Sequence, residues 1–517
     1  MTRPRTPLLL ASAPILLLSL LLGLLAAPAA AQTSPTPVKV SSQTCGAYTL
    51  TLRENGFGDP LDRVTISRGG VTHATVQDTM VAVDFCRDVT GDGIPEVMLA
   101  GFSGGAHCCF THTLYSLSSP PRQLLRVFSA HSASLDVRQL DGKGPLELVG
   151  ADWRFAYAYG MSFAESPALP VVYSYLPVPG GPPRYVNNSR AYGPFILGSV
   201  RAQEQPDYSG GLLAGYAARL IAAPGTARPY LNTLPQPFRA WLGSYDPDLR
   251  AALSDYGLSD WPARAGADPA ATPIGIGGSF SGPGRTEYLA LLARGTQGQT
   301  RLYRPVSGGI QAGPTLKQVP VKTSAAGALD GYVDTAWYPA FPVRRASGQD
   351  DAVIFDALSG SVHYRAYRVT PAALTEQTGA LGVAATLLGD LSNVARQVAS
   401  QYAQPQQPRT PAQMQELTRR IEAAVTRAQP WVAATTADFS LYALGNFTVS
   451  AIDMPQDTPD RATVTAPVTF GMVAADQDSE YVSGTRQTAT IHLTRGPQGW
   501  QVTDWTLTPR PGDLYED

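Results

Sequence analysis

Charge is scarce in this chain. Of 517 residues, 39 are Lys or Arg and 41 are Asp or Glu, 15% in all, against roughly 25% in an ordinary soluble domain. The formal net charge of −2 excludes a general electrostatic nucleic-acid binder, which needs a basic excess to displace counterions from phosphates. Lysine occurs only at Lys39, Lys143, Lys317 and Lys322, so Arg carries the positive charge. The sequence also lacks His-Glu-x-x-His, Walker and dinucleotide fingerprints, short motifs that bring a mechanism with them. Beyond residue 31 no apolar run approaches the ~20 residues that span a bilayer. What is plentiful is Gly (49) and Pro (44), beside a hydrophobic fraction of 44%. That apolar content excludes a disordered chain, and the turn-forming residues suit many short strands. The length is about three times the ~150-residue prior for one domain, so more than one folded unit is expected.

Residues 1–31 read as a signal peptide. Arg3 and Arg5 supply a positive start, Leu8 to Leu25 an apolar run, and Ala29-Ala30-Ala31 a small-residue cleavage site. The expected destination is the periplasm or the medium, with no membrane span after cleavage. Four cysteines (Cys45, Cys86, Cys108, Cys109) agree with an oxidising compartment. They allow three pairings. If 81–87, 97–101 and 107–117 are successive antiparallel strands, Cys86 and Cys108 lie about 17 Å apart, beyond the ~7 Å limit for bridged Cα atoms. This favours Cys45–Cys86 with a vicinal Cys108–Cys109.

The most informative stretch is Asp88-Val89-Thr90-Gly91-Asp92-Gly93-Ile94-Pro95-Glu96. Oxygen-bearing side chains stand at positions 1, 3, 5 and 9 (Asp88, Thr90, Asp92, Glu96), Gly93 at position 6 permits a tight turn, and Ile94 offers a carbonyl. Calcium takes six to eight hard oxygen ligands, which such a folded-back loop gathers at one point. Position 12 is Leu99 rather than the Glu of an EF-hand, and apolar runs on both sides predict a strand–loop–strand. One calcium ion is therefore the expected cofactor. With the following Val97 to Gly101, this segment resembles the FG-GAP/VCBS repeat, the calcium-loop unit of integrin-type β-propellers in many exported bacterial proteins. Ser103 to Cys109 is similar to a stretch in uncharacterised members of that group.

Three weaker frames align on the position-6 glycine: Gln139 to Glu147, Ser279 to Glu287, and Val343 to Asp351. Each precedes an apolar run. Lys143 and Pro283 replace the position-5 acid, so these copies are expected to keep the hairpin and lose the metal. The long interval between the second and third frames carries helical spacing at Leu212, Leu213, Tyr216 and Leu220 and again at Phe238, Trp241, Leu242 and Tyr245. Asp246 with Pro247 predicts a further helix start. After residue 375, Leu391 to Tyr402 and Met414 to Val425 follow helical spacing, with Thr410-Pro411 opening the second helix. Strands are predicted over 462–473, 487–494 and 500–507. The closing Gly499 to Trp505 faintly resembles NTF2-like domains.

The resemblance and the patterns together imply a mainly β chain. A degenerate β-propeller-like domain is expected over 40–370, with a helical insert at about 208–262. An α+β domain over 376–517 follows, two helices and then a β-meander. His107, Cys108, Cys109 and His112 are the only dense cluster of soft ligands, but strand alternation points them to opposite faces, so no metal site is expected there. Phe155, Tyr157 and Tyr159 are expected on one strand face, as a buried inter-sheet surface or a sugar platform. The functional expectation is a non-enzymatic exported binding or cell-envelope protein with a protein or glycan ligand. The alternative is a polysaccharide-acting lyase or hydrolase on the same scaffold.

Overall fold

The computed structural model describes residues 38–57, 59–105, 109–205, 208–268, 271–323, 333–334, 336–359, 362–402, 412, 446–476 and 479–510, with side chains at 394–402 and 470–485 left aside. The signal-peptide expectation for residues 1–31, His107, Cys108 and the second C-terminal helix (Met414 to Val425) fall outside them.

With 48% of the described residues in strands and 21% in helices, the chain is mainly β. Its strands come as meanders, each strand pairing antiparallel with the next. The first sheet is Lys39–Cys45, Tyr48–Glu54, Asp62–Arg68 and Val71–Asp78. The second is Met80–Arg87, Glu96–Phe102, Phe110–Ser116 and Arg122–Ala130. Asp136–Arg138, Glu147–Asp152, Leu169–Val178 and Gly181–Asn187 form the third. Thr272–Gly278, Glu287–Arg294, Gln297–Val306 and Gly309–Ala312 form the fourth, joined by Lys317–Pro320. The fifth begins with Trp337–Arg345, Asp351–Asp356, His363–Val369 and Leu374–Glu376. The described residues do not show a closed ring.

The sheets pack face on face, which explains the unbroken apolar runs. Val97 and Leu99 meet Leu50, Val64 and Ile66 of the first sheet. Met98, on the opposite face of the same strand, joins Leu114 and Leu125 against Leu148 and Tyr185 of the third. A strand covered on both sides needs apolar residues at every position rather than at alternate ones. The same holds for Ala352 and Ile354 against Val353 and Phe355, which belong to two different cores.

The long interval holds helices at Gly193–Arg201, Ser209–Ala222, Pro224–Thr233 and Gln236–Ala252. Leu213, Tyr216, Trp241, Leu242, Tyr245 and Leu249 fill one core between them. Asp246 does not start a helix. Pro247 lies inside Gln236–Ala252, because Trp241, Tyr245, Leu249 and Leu253 all belong to the same core and continuous packing outweighs one lost backbone bond. Asp246 instead accepts from Tyr216 Oη (2.5 Å) and Arg250 Nε (2.6 Å).

The expected C-terminal strands are present and longer: Arg461–Asp476, Ser479–Gly496 and Gly499–Pro509. They are preceded by Ala380–Tyr402, a helix, and by Asn446–Val449 and Asp453–Asp457. Arg344 and Arg345 pair in parallel with Asp453 and Met454, so the fifth sheet continues into the C-terminal strands across residues 370–376. Leu381, Leu388, Val464 and Trp505 share a core with Val353 and Tyr364.

One buried ion pair fastens the helical segment to the last strand. Arg510 Nη2 meets Asp248 Oδ2 at 2.5 Å, Ser450 donates to Asp248 Oδ1, and the Arg510 guanidinium lies over the Tyr245 ring. Both charged residues are 8% exposed. Removing one partner of such a pair strands the other charge in a poor solvent. Asp248→Ala is expected to destabilise the chain by about 3–5 kcal/mol in urea unfolding; a loss under about 1 kcal/mol, the range of exposed pairs, would place this contact at the solvated surface.

Candidate functional site

The turn 88–96 joins Met80–Arg87 to Glu96–Phe102. Asp88 Oδ1 accepts from Gly91 N (2.7 Å) and Oδ2 from Gly93 N (2.8 Å), and Asp92 Oδ1 accepts from Ile94 N (2.9 Å). Gly91 and Gly93 have φ of 77° and 81°, a region that only glycine enters freely.

Glu96 is turned inward and is 0% exposed. Its Oε2 accepts from Val89 N (2.8 Å) and Thr90 N (3.3 Å), and its Oε1 from the Thr90 hydroxyl (3.3 Å). Burial pushes the Glu96 carboxyl above its ordinary range, and the negative charges of Asp92 and Asp88 push it the same way, while the two N–H bonds pull it down. Three carboxylates thus crowd one turn. A carboxylate offers about four lone-pair sites. Asp88 and Asp92 keep lone pairs beyond those taken by backbone N–H groups and are exposed. Glu96 and Thr90 are engaged with each other.

The turn is also a junction. Cys45 and Cys86 are disulfide-bonded, with Cα atoms 5.9 Å apart, tying the first sheet to the strand that enters it. Cys109 is disulfide-bonded as well. Leu117 N donates to Pro95 O (3.0 Å), and Leu146 N, from the third sheet, donates to Val89 O (2.9 Å).

The three weaker frames fold in the same way. Gly144, Gly284 and Gly348 have φ of 69°, 73° and 77°. Their ninth-position acids Glu147, Glu287 and Asp351 are 4%, 1% and 0% exposed. Glu147 accepts from Leu140 N (2.9 Å) and Glu287 from Ser281 N (2.6 Å). Asp351 takes Arg345 (2.5 Å) and Arg368 instead. The persistent element is a buried acid closing the turn onto its own second or third residue, a role that spacing alone does not reveal.

Sequence reasoning missed a second cluster on the opposite face of the second sheet. His112 is fully buried, with Nδ1 2.7 Å from Ser129 Oγ and Nε2 3.3 Å from the Ala133 carbonyl. The carbonyl requires the proton on Nε2, so Nδ1 of the neutral ring accepts from the hydroxyl. Asp84 Oδ2 stands 3.7 Å from Nε2, outside hydrogen-bond range. Ser129 is buried and also contacts the Phe110 and Ser132 carbonyls. His112 and Ser129 thus form a buried hydrogen-bonded pair, with Asp84 beside it and open to solvent. The stretch bearing Phe155, Tyr157 and Tyr159, expected as a strand, is a turn followed by a short 3-10 helix at Ala158–Gly160. Tyr157 and Tyr159 adopt positive φ (57° and 56°); Phe155 is buried with its ring centroid 5.9 Å from that of Tyr159, while Tyr157 is exposed.

Among the described residues no group of three or more His, Cys, Asp or Glu is already gathered as a metal cage. Compared with known proteins, the chain matches no family model and no curated protein.

Two outcomes follow. Glu287→Ala leaves Ser281 N without its buried acceptor and is expected to cost about 1–3 kcal/mol in urea unfolding, with no dependence on calcium. Burial raises Asp84 to about 6 from 3.8, so its ionised form lowers stability as pH rises through that interval. Asp84→Asn is expected to raise the melting temperature above pH 6 and to lose that advantage below 3.8; an advantage independent of pH would reject the assignment.

Proposed function

We infer that this chain is an exported, non-enzymatic binding or cell-envelope protein whose turn 88–96 is a calcium clip on a blade-like β scaffold. The observation that carries this reading is the crowding of Asp88, Asp92 and Glu96 on one nine-residue turn between antiparallel strands. A divalent cation at the exposed Asp88 and Asp92 oxygens relieves that repulsion, with the Ile94 carbonyl as a further ligand and Glu96 and Thr90 bracing the loop from beneath. Calcium here stiffens a junction of three sheets and takes part in no reaction.

Five meanders, the first three and the last two packed face on face and four of them carrying the same turn, support kinship with FG-GAP/VCBS propellers. In that reading the helical segment stands between the third and fourth blades, and the C-terminal strands extend the fifth. A disulfide at the turn suits an oxidising compartment. Among the described residues no helix is long and apolar enough to cross a membrane. The ligand is a protein or a glycan.

Calcium is expected to raise the calorimetric melting temperature by roughly 2–4 °C for each kcal/mol of binding free energy, and chelator to reverse it. Asp92→Ala should abolish the response. Equal melting with calcium and with chelator in the unmodified chain would reject the clip. On a glycan panel the protein should bind without releasing product.

A further inference from the structure

A cleft of about 330 Å³ opens where the helical segment, the third and fourth turns and the first C-terminal strands meet. Four arginines line it: Arg190 and Arg250 from the helical side, Arg285 at position 7 of the third turn and Arg344 at position 2 of the fourth. They face two carboxylates, Asp350 and Asp453. Arg250 is held by Asp246 (2.6 Å). Arg190 spends its donors on the carbonyls of Tyr256 (2.6 Å), Ser254 (3.1 Å) and Leu253 (3.4 Å), and so brings a full positive charge with no carboxylate in contact. Asp350 is committed to Ser279 N (2.7 Å). Arg285 and Arg344 stand at the mouth, and their guanidinium groups make no hydrogen bond or ion pair among the described residues.

Arg250 and Arg344 are close enough to oppose one another. Burial, and then the charge of Arg250, push Arg344 below its ordinary range, while burial pushes Asp350 and Asp453 upward. Four guanidinium groups against Asp350, Asp453 and the Asp246 that holds Arg250 leave one positive charge in excess. Its other wall, at 220–224 and 247–253, is mostly aliphatic, and no aromatic ring lines it, which disfavours a stacked base or sugar ring.

We propose that this cleft binds a small ligand bearing a tetrahedral oxyanion, phosphate or sulfate, gripped between the Arg285 and Arg344 guanidinium forks. A guanidinium pairs with two oxygens of such a group in one plane. A tetrahedral anion has oxygens enough to serve forks arriving from two different turns, whereas one carboxylate has only two. Arg190 and Arg250 supply the field behind it, and the aliphatic wall receives the body of the ligand. The volume falls within the range of small-molecule sites.

The test is isothermal titration calorimetry on the full chain with inorganic phosphate and, separately, sulfate, against chloride at equal ionic strength. Chelator is present throughout, so the result does not depend on the calcium clip. One saturable site is expected for phosphate, for sulfate or for both, and the responding anion names the ligand class. Arg344→Gln is expected to weaken binding about tenfold, Arg344→Lys less, and Arg285→Gln with Arg344→Gln to abolish it. Circular dichroism checks folding, and if the double variant is unfolded the exposed single variant Arg285→Gln decides. No heat from either anion, or affinity unchanged in the folded variants, would overturn the proposal.

Discussion

A carboxylate that leaves water must find donors, and in this protein the donors are its own turn. Glu96, Glu147 and Glu287 reach back to the N–H groups of residues 89 and 90, 140 and 281. That contact fixes the loop on the strand it feeds, so the strand enters the stack in one register with its apolar run aligned between two neighbouring sheets. Losing the acid leaves an orphaned buried donor and a loosened start to the most buried strand of the sheet. Asp351 reaches the same end by another route, exchanging backbone donors for the guanidinium groups of Arg345 and Arg368.

This division of labour recasts the nine-residue motif. Read for chemistry, every oxygen in it is a candidate ligand. In the folded chain the oxygens fall into two layers: Asp88 and Asp92 outside, Thr90 and Glu96 inside. The inner acid survives in frames whose outer layer has been replaced by Gln139 and Lys143, or by Ser279 and Pro283. Scaffold and exposed carboxylates are thus separable, and only the first is common to the four turns.

The hairpins were legible because a glycine forced to positive φ and an acid three residues later leave a mark at fixed spacing. The continuous run after each turn was equally plain, since both faces are covered. The first sheet carries no such turn and its order was not readable; alternating Thr and Val define strands without saying what they pair with. Asp246-Pro247 misled for the opposite reason, a strong local stop signal overruled by a core lying on both sides of it. Tyr157 and Tyr159 misled because left-handed backbone at non-glycine residues has no compositional signature. Nothing in the sequence brings Arg190, Arg250, Arg285 and Arg344 together, since four separate elements carry them.

The clasp between Asp248 and Arg510 spans 262 residues of chain. As the polypeptide is made, the helices around Asp248 complete their own apolar core long before Arg510 exists, and the carboxylate waits there without a counter-ion. A chain cut short in its last strand keeps nearly all its sheets yet holds one uncompensated charge at its centre. The stability of the middle of the molecule thereby depends on a residue laid down 262 positions later.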